Sequence, residues 1–348
     1  MANTQKVVLA GCGSMSRAWL KTATEIEGLE VVGLVDIIED AARARRDEFK
    51  LDGAALHTDL DAALTALKPD IVFDVTVPDA HAPNAITAFK HGCHVMSEKP
   101  MAGDMDGARR ALAASRVAGR QYAVMQNRRY HRGARRVHRF LGAQTLGALT
   151  TVNIDFFIGA HFGGFRDHMA HVLLLDMAIH TFDSLRYLSG ADPVAVFCKE
   201  WNPAGSWYDR DASAVAIFEL TNGIVATYRG SWCSEGLHTS WECDWRFIGQ
   251  RGSAAWHGGI GDGDDFQSQV LKPGEQNGFM REFESAPLDT MDTVGIDNGH
   301  ESGIRDFVSC VRSGAQPLTH AVDNIKSLAM CFGAIESAER GQRVEIAA

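Results

Sequence analysis

Residues 7–17 read VVLAGCGSMSR. Four apolar residues lead into two closely spaced glycines, and a helical pattern follows. Gly11 and Gly13 permit a tight turn and let a ligand come close to bare backbone, while the start of the next helix offers N–H groups to an anion. Ser16 stands third in the G-x-G-x-x-G spacing and is small enough for close helix–strand packing. A strand before the turn and a helix after it make this short motif informative. The reading is a dinucleotide whose pyrophosphate lies against Gly11, Gly13, Ser14 and Met15. Asp36 ends the next strand pattern, VVGLVD. A carboxylate there can accept both ribose hydroxyls and repels a 2′-phosphate, so NAD is expected in preference to NADP. Arg43, Arg45 and Arg46 in the following helical stretch can soften that preference.

Outward from this turn, short apolar runs alternate with helical patterns. Val7–Ala10, Val31–Val35, Ile71–Val75, His94–Met96 and Tyr122–Met125 read as strands buried on both faces. Ser14–Ile26, Glu39–Phe49, Asp59–Leu67, Asp79–Lys90 and Asp104–Ala118 read as the helices between them. That alternation predicts an α/β N-terminal Rossmann domain with a doubly wound parallel sheet over residues 1–125. Beyond about residue 145 the pattern becomes strand-rich: Leu149–Ile158, Val194–Trp201, Ser213–Leu220, Ile224–Trp232, Trp241–Gly249 and Ser253–Trp256. Thr221-Asn222-Gly223 marks a hairpin. One strong helix is expected over Met169–Leu188, and two more over Glu301–Arg312 and Ala321–Glu339. Residues 126–348 therefore read as a C-terminal α+β domain for substrate binding and oligomerisation. Its open sheet is largely antiparallel, and its last helices are candidates to pack back on the first domain.

Composition narrows the function. The 348 residues carry 34 Lys and Arg against 44 Asp and Glu, a net charge of −10, which disfavours a phosphate-backbone partner. The one dense basic stretch, Arg128–Arg139, reads as a local anion or cofactor contact plus a solvated helix face. Seven dispersed cysteines without a CxxC argue against a secreted disulfide framework. The N-terminus enters a strand without a signal-peptide pattern, and no apolar run is long enough to span a bilayer, so a cytoplasmic protein without membrane partners is expected. The acidic loop Gly259–Asp265 lacks the ligand spacing of a calcium loop and reads as a surface turn.

Three further segments carry a resemblance: DVTVPDAHAP at 74–83, SEKPM at 97–101 and QNRRYH at 126–131. Their order and spacing resemble the Gfo/Idh/MocA oxidoreductases, a family that includes glucose–fructose oxidoreductase and inositol dehydrogenases. The resemblance implies a catalytic lysine at Lys99, and implies cofactor contacts from Thr76, Pro78, His81, Glu98, Asn127 and Arg128. Glu98 can alternatively position a neighbour. Lys99 also has an independent warrant, because the carboxyl end of a parallel strand faces the ligand crevice. The family often has a cis peptide before the motif's proline, here Pro100.

Residues 172–183 read VLLLDMAIHTFD. Asp176 and His180, four apart on a helical pattern, share a face. A histidine whose proton affinity is adjusted by a carboxylate suits acid–base work near neutral pH. The resemblance implies that His180 carries the proton and Asp176 assists or binds substrate, with Ala178 in place of the family's glycine. Asp183 can orient the imidazole from behind. A zinc site from His171, Asp176 and His180 is the weaker alternative. Just before this segment the family usually has glycines, whereas this chain has Ala170, His171 and Val172, which makes His171 a candidate substrate contact. His161, Arg166 and Trp232 are the other candidates, with a structural ion pair as the alternative for Arg166. Six of the seven tryptophans lie between Trp201 and Trp256.

These readings point to an NAD-dependent oxidoreductase that moves a hydride between the cofactor and a sugar, sugar derivative or polyol, with Lys99 and His180 handling the proton. The resemblance implies a homodimer or homotetramer built through the C-terminal sheet. An NAD-assisted glycoside hydrolase or lyase on the same scaffold and a non-catalytic NAD-binding regulator are the alternatives.

Overall fold

The computed structural model describes residues 4–259, 265–274, 278–289 and 299–348. The acidic loop read as a surface turn falls largely outside them. The chain forms two compact units, one of Met1–Asn127 with Asn298–Ile325, the other of Arg128–Asp297 with Lys326–Ala348.

In the first unit β1 (Gln5–Ala10), α1 (Ser16–Glu25), β2 (Leu29–Val35), α2 (Glu39–Glu48), β3 (Ala55–His57), α3 (Leu60–Leu67), β4 (Ile71–Asp74), α4 (Pro78–Lys90), β5 (His94–Ser97), α5 (Met105–Ala118) and β6 (Tyr122–Val124) follow one another. The strands are all parallel, in the order β3-β2-β1-β4-β5-β6. This is a Rossmann sheet, and its chain reversal lies between β1 and β4. In such sheets the ligand crevice opens at the carboxyl ends of those strands. The strand cores are apolar because both faces are covered: Val7–Ala10 of β1 are buried, and so are all four residues of β4, Asp74 included. Local signals set the helix ends. Asp59 and Asp104 cap α3 and α5 by accepting from the N–H of Ala62 and Gly107, and Gly119 ends α5 at φ 63°. Helix Gly299–Ser313 closes one side of this core. Phe307 stands 6.5 Å from Phe73, whose ring is 5.1 Å from Trp19 of α1.

The second unit holds α6 (Arg132–Gly142), β7 (Leu149–Phe157), α7 (Phe165–His168), a π-helical turn (Leu173–Ala178), α8 (Ile179–Ser189), β8 (Pro193–Trp201), β9 (Ser213–Leu220), β10 (Val225–Ser231), β11 (Asp244–Gly249), β12 (Gly252–Trp256), β13 (Phe266–Leu271) and β14 (Phe283–Glu284). After α9 (Gly299–Ser313) and α10 (Ala321–Arg340), β15 (Val344–Glu345) completes its sheet. The nine strands run β14-β13-β12-β11-β7-β10-β9-β8-β15, antiparallel except where β10 lies parallel to β7. Alternation of side chains sorts the two faces. Along β9, Ala214, Ala216, Phe218 and Leu220 are buried while Val215, Ile217 and Glu219 face outward. Asn222 and Gly223, at φ 65° and 75°, supply the two left-handed residues that a tight hairpin between β9 and β10 demands. Phe182 of α8 packs edge-on to Phe218 and Tyr228, centroids 4.8 and 5.2 Å away, which fixes α8 on the inner face.

The helix expected over Met169–Leu188 is corrected here: regular α-helix begins at Ile179, behind a separate π-helical turn that carries Asp176. Among the described residues, no helix is long and apolar enough to cross a membrane.

Candidate functional site

In the first unit the predicted residues gather at the carboxyl end of the sheet. The two glycines of the turn differ in kind. Gly11 has φ 90°, and a Cβ there would lie 2.5 Å from the carbonyl carbon of Val75. Its bareness is demanded by the protein's own packing. A Cβ on Gly13 would meet nothing within 4 Å, so that bareness has no internal cause. Gly13, Ser14 and Met15 are exposed ahead of α1, whose first turn has no acidic residue and no side-chain cap. A helix start left this way suits a phosphate. Asp36 accepts from the N–H of Cys12 at 2.7 Å and of Ile38 at 2.9 Å. These bonds aim the carboxylate beside the glycine turn, and each oxygen keeps a lone pair for a hydroxyl. Ile37 and Ile38 beside it are 88% and 62% exposed, an apolar surface that a flat base could cover and that sequence reading passed over. Arg43 and Arg46 pair with Glu39 and Asp47. Arg45 donates to Ser16 Oγ and pairs with Glu48, which Arg17 also engages.

Thr76 follows β4, and Pro78 is the first residue of α4, where its missing N–H costs nothing. The Thr76 hydroxyl donates to Asp74 at 2.5 Å. Glu98 is buried. Its Oε1 accepts from the Trp19 indole at 2.8 Å and its Oε2 from the Lys99 N–H at 3.2 Å. The Glu98 alternative of positioning a neighbour is thus the one the hydrogen bonds describe. Lys99 lies half-buried just past β5, and the Lys99–Pro100 peptide is cis. Asn127 is half-buried, and its Oδ1 is buried with no hydrogen-bond partner among the described residues. The expected cofactor contact of His81 is corrected: its side chain is fully buried, and its ring nitrogens lie 2.6 Å from the Pro100 carbonyl and 3.1 Å from the Thr76 carbonyl.

In the second unit, Asp176 sits on the π-helical turn and His180 on the first turn of α8. Such turns recur at functional sites. Arg166 donates to Asp176 through Nε at 2.7 Å and a terminal nitrogen at 3.3 Å. Its guanidinium also lies over the Phe165 and Phe162 rings, at 4.7 and 5.2 Å. The ion-pair alternative for Arg166 is therefore the one observed. His161 stacks on Trp207, centroids 3.6 Å apart, and bonds Glu235 at 2.8 Å. Trp241 is 48% exposed and meets Trp232 edge-on at 5.7 Å.

Four expectations are corrected in this unit. Trp232 is 2% exposed against Phe156, Phe162 and Trp241, so it supports the surface instead of forming it. Arg128, expected near a cofactor, is buried and pairs with Glu242 at 2.6 Å, with Thr181 and the Trp241 carbonyl as further partners. Asp183 does not stand free to orient His180: Arg129 grips both its oxygens at 2.7 Å, and Ser327 bonds it too. The basic stretch thus begins with two arginines neutralised inside the protein. His171, the candidate substrate contact, donates or accepts at 2.7 Å with buried Glu200 and stands 3.8 Å from Glu339. It braces β8 and α10. Its φ of 52° is the left-handed conformation that favours glycine, retained here with an imidazole attached.

Comparison with known proteins adds the following. Residues 5–126 match the family model described as "Oxidoreductase family, NAD-binding Rossmann fold", and residues 134–255 match the "GFO/IDH/MocA C-terminal domain". An uncharacterized protein y4oX of Sinorhizobium fredii is 27% identical, over 99% of this chain and 96% of its own. D-apiose dehydrogenase of Paraburkholderia graminis is 26% identical, over 98% of this chain and 89% of its own. The crystal structure of an oxidoreductase from Agrobacterium radiobacter, in complex with NAD+, L-tartaric acid and magnesium, superposes with a TM-score of 0.83 at 19% identity, covering 99% of this chain and 98% of that one.

The two glycines separate structure from ligand binding. Gly11→Ala is expected to destabilise the fold by about 1–3 kcal/mol through overpacking and positive φ. Gly13→Ala is expected to leave stability within about 0.5 kcal/mol while weakening NAD binding. Denaturant unfolding and calorimetric titration with NAD check the pair, and equal stability losses would refute the distinction.

The His171–Glu200 pair predicts a pH signature. The Glu200 hydrogen bond raises the His171 pKa above its ordinary value of 6.5, and burial, outweighing the imidazole, raises that of Glu200. Both groups hold protons more tightly when folded, so stability falls as pH rises through each window. For His171 the loss begins near 6.5 and ends above it. Thermal melts of wild type and His171→Gln across neutral pH should show a weaker decline in the variant, and parallel curves would contradict the pairing.

Proposed function

Because the chain belongs to the Gfo/Idh/MocA oxidoreductases, we propose that it interconverts a carbinol and a carbonyl on a sugar, sugar derivative or polyol. It is an NAD-binding dehydrogenase or reductase acting on CH–OH groups. NAD, when bound, supplies the two-electron acceptor for the hydride. The observation that carries the reading is Gly13: a bare, exposed position with no internal cause, ahead of an uncapped helix and beside Asp36.

The residues divide the work as follows. Gly11, Gly13, Ser14 and Met15 leave room and N–H groups for the pyrophosphate, and Asp36 takes the adenosine ribose hydroxyls. Ile37 and Ile38 cover the base. Thr76 and Pro78 border the nicotinamide half, where the buried Oδ1 of Asn127 is an acceptor for a carboxamide N–H. Glu98 orients Lys99 through its backbone N–H. The Lys99 ammonium stabilises negative charge developing on the substrate oxygen, and His180 removes the hydroxyl proton in oxidation and returns it in reduction. Asp176, oriented by Arg166, binds an adjacent hydroxyl. His161 and Trp241 offer a polar group and an aromatic face to the ring of the substrate.

The reading also includes a homo-oligomer. Phe197, Trp201, Val215, Ile217 and Val225 are each more than a third exposed on the outward face of β8–β10, with Phe197 opposite Ile217. So much apolar surface on adjacent strands needs cover.

Lys99→Ala is expected to keep NAD affinity but lower kcat at least about 100-fold. The check is NAD reduction with a panel of aldoses, inositols and D-apiose. Unchanged turnover would remove Lys99 from the chemistry, and glycoside cleavage without net NADH would favour a hydrolase. For the assembly, light scattering should give a dimer or tetramer for wild type and smaller species for the Ile217→Glu variant. A monomeric wild type ends that part of the reading.

A further inference from the structure

His81 is buried at 0% exposure, and both of its ring nitrogens face acceptors. Nδ1 lies 2.6 Å from the Pro100 carbonyl and Nε2 lies 3.1 Å from the Thr76 carbonyl. Carbonyl oxygens only accept. A neutral imidazole has one N–H and serves one of them, leaving its other nitrogen lone pair against an oxygen lone pair. A doubly protonated ring serves both. A buried cation needs a compensating charge. Asp74, also at 0% exposure, interacts electrostatically with His81. Its Oδ1 receives the Thr76 N–H, the Thr76 hydroxyl and the Asn84 amide, bonds that favour the ionised carboxylate, while its Oδ2 has no hydrogen-bond partner among the described residues.

The placement of these contacts matters for Lys99. Glu98 Oε2 accepts from the Lys99 N–H, and the Trp19 indole holds Glu98 at its other oxygen. The next carbonyl along the chain, that of Pro100, is the one His81 grips. The lysine's backbone is therefore held on both flanks, from α1 through Glu98 and from α4 through His81.

We propose that His81, as a buried imidazolium charge-balanced by Asp74, is the positioning residue that clamps the Lys99–Pro100 segment to the Thr76 turn and so aims the Lys99 ammonium. This rests on the reading of Lys99 as a catalytic residue. Burial is the largest influence on the Asp74 carboxyl and raises its pKa overall, with His81 and the Thr76 and Asn84 hydrogen bonds pulling the other way.

Two measurements test the proposal. In wild-type enzyme labelled with 15N at histidine, both ring nitrogens of His81 should carry protons at neutral pH, and one protonated and one bare nitrogen would overturn the imidazolium. In kinetics, with whichever sugar or polyol turns over best, His81→Gln is expected to lower kcat roughly 10- to 100-fold with little change in KM or NAD affinity. The double variant Lys99→Ala/His81→Gln should be no slower than Lys99→Ala alone, because a positioning residue has nothing left to position. Losses that multiply, or an unchanged kcat in His81→Gln, refute the clamp. Should His81→Gln fail to fold, the 15N result on wild type decides. Full turnover in Lys99→Ala would instead sink the reading of Lys99, leaving the 15N result to judge the imidazolium by itself.

Discussion

The first unit depends on how closely β1 and β4 approach where both strands end. The Gly11 backbone lies against the Val75–Thr76 peptide so tightly that a single added methyl would overlap it. That contact keeps the two strands in step for one residue past their regular pairing. Val75 N donates to Ala10 at 2.7 Å, and Glu98 N donates to Asp74 and Met125 N to Ser97, each at 2.8 Å. Gly11 N donates to Val35 on the other side, also at 2.8 Å. Consequently the glycine turn, the Thr76 turn, the Glu98–Pro100 segment and the Asn127 turn all leave the sheet at one level. Residues far apart in sequence are gathered by a hydrogen-bond ladder, and their chemistry then follows from where each strand stops.

The second unit is held by a different economy. Arg128 with Glu242, Arg129 with Asp183 and Arg186 with Asp192 place guanidinium groups inside or at the edge of its core. Buried ion pairs add little net stability, because desolvation offsets the attraction, yet losing one partner leaves a charge stranded. Their effect is therefore on geometry. Asp183, gripped by Arg129 and Ser327, ties α8 to the segment before α6 and to α10. Arg128 ties the same segment to the loop before β11. The helix bearing His180 is thus braced by largely buried arginines.

This explains what could and could not be read from the amino-acid order. The parallel sheet was legible because strands buried on both faces are continuous apolar runs, and only β3, three half-buried residues, fell below that signal. The hairpin at Asn222–Gly223 was legible because few residues accept left-handed backbone. The π-helical turn was not, since Leu173–Ala178 has the same apolar spacing as an ordinary helix. Charged side chains were the main source of error. A run of arginines looks alike whether its groups face water or Asp183, and partners 54 residues away, as for Arg129, leave no local trace. His81 and Trp232 failed similarly: each sits beside the surface it was assigned to, but turned inward.

His171 occupies a backbone conformation that usually belongs to glycine. Its φ of 52° is a conformation costly for a side chain, and histidine is among the residues that tolerate it best. The cost is met by a partner waiting at 2.7 Å, Glu200, which is itself buried on β8. The loop before the Asp176 turn thereby gains a tether to the sheet that a glycine could not provide. Arg166, reaching Asp176 from α7 and covered by Phe162 and Phe165, adds a second tether from the other side. The Asp176 carboxylate is consequently held by a cation from α7, on a turn whose preceding loop is itself anchored to β8.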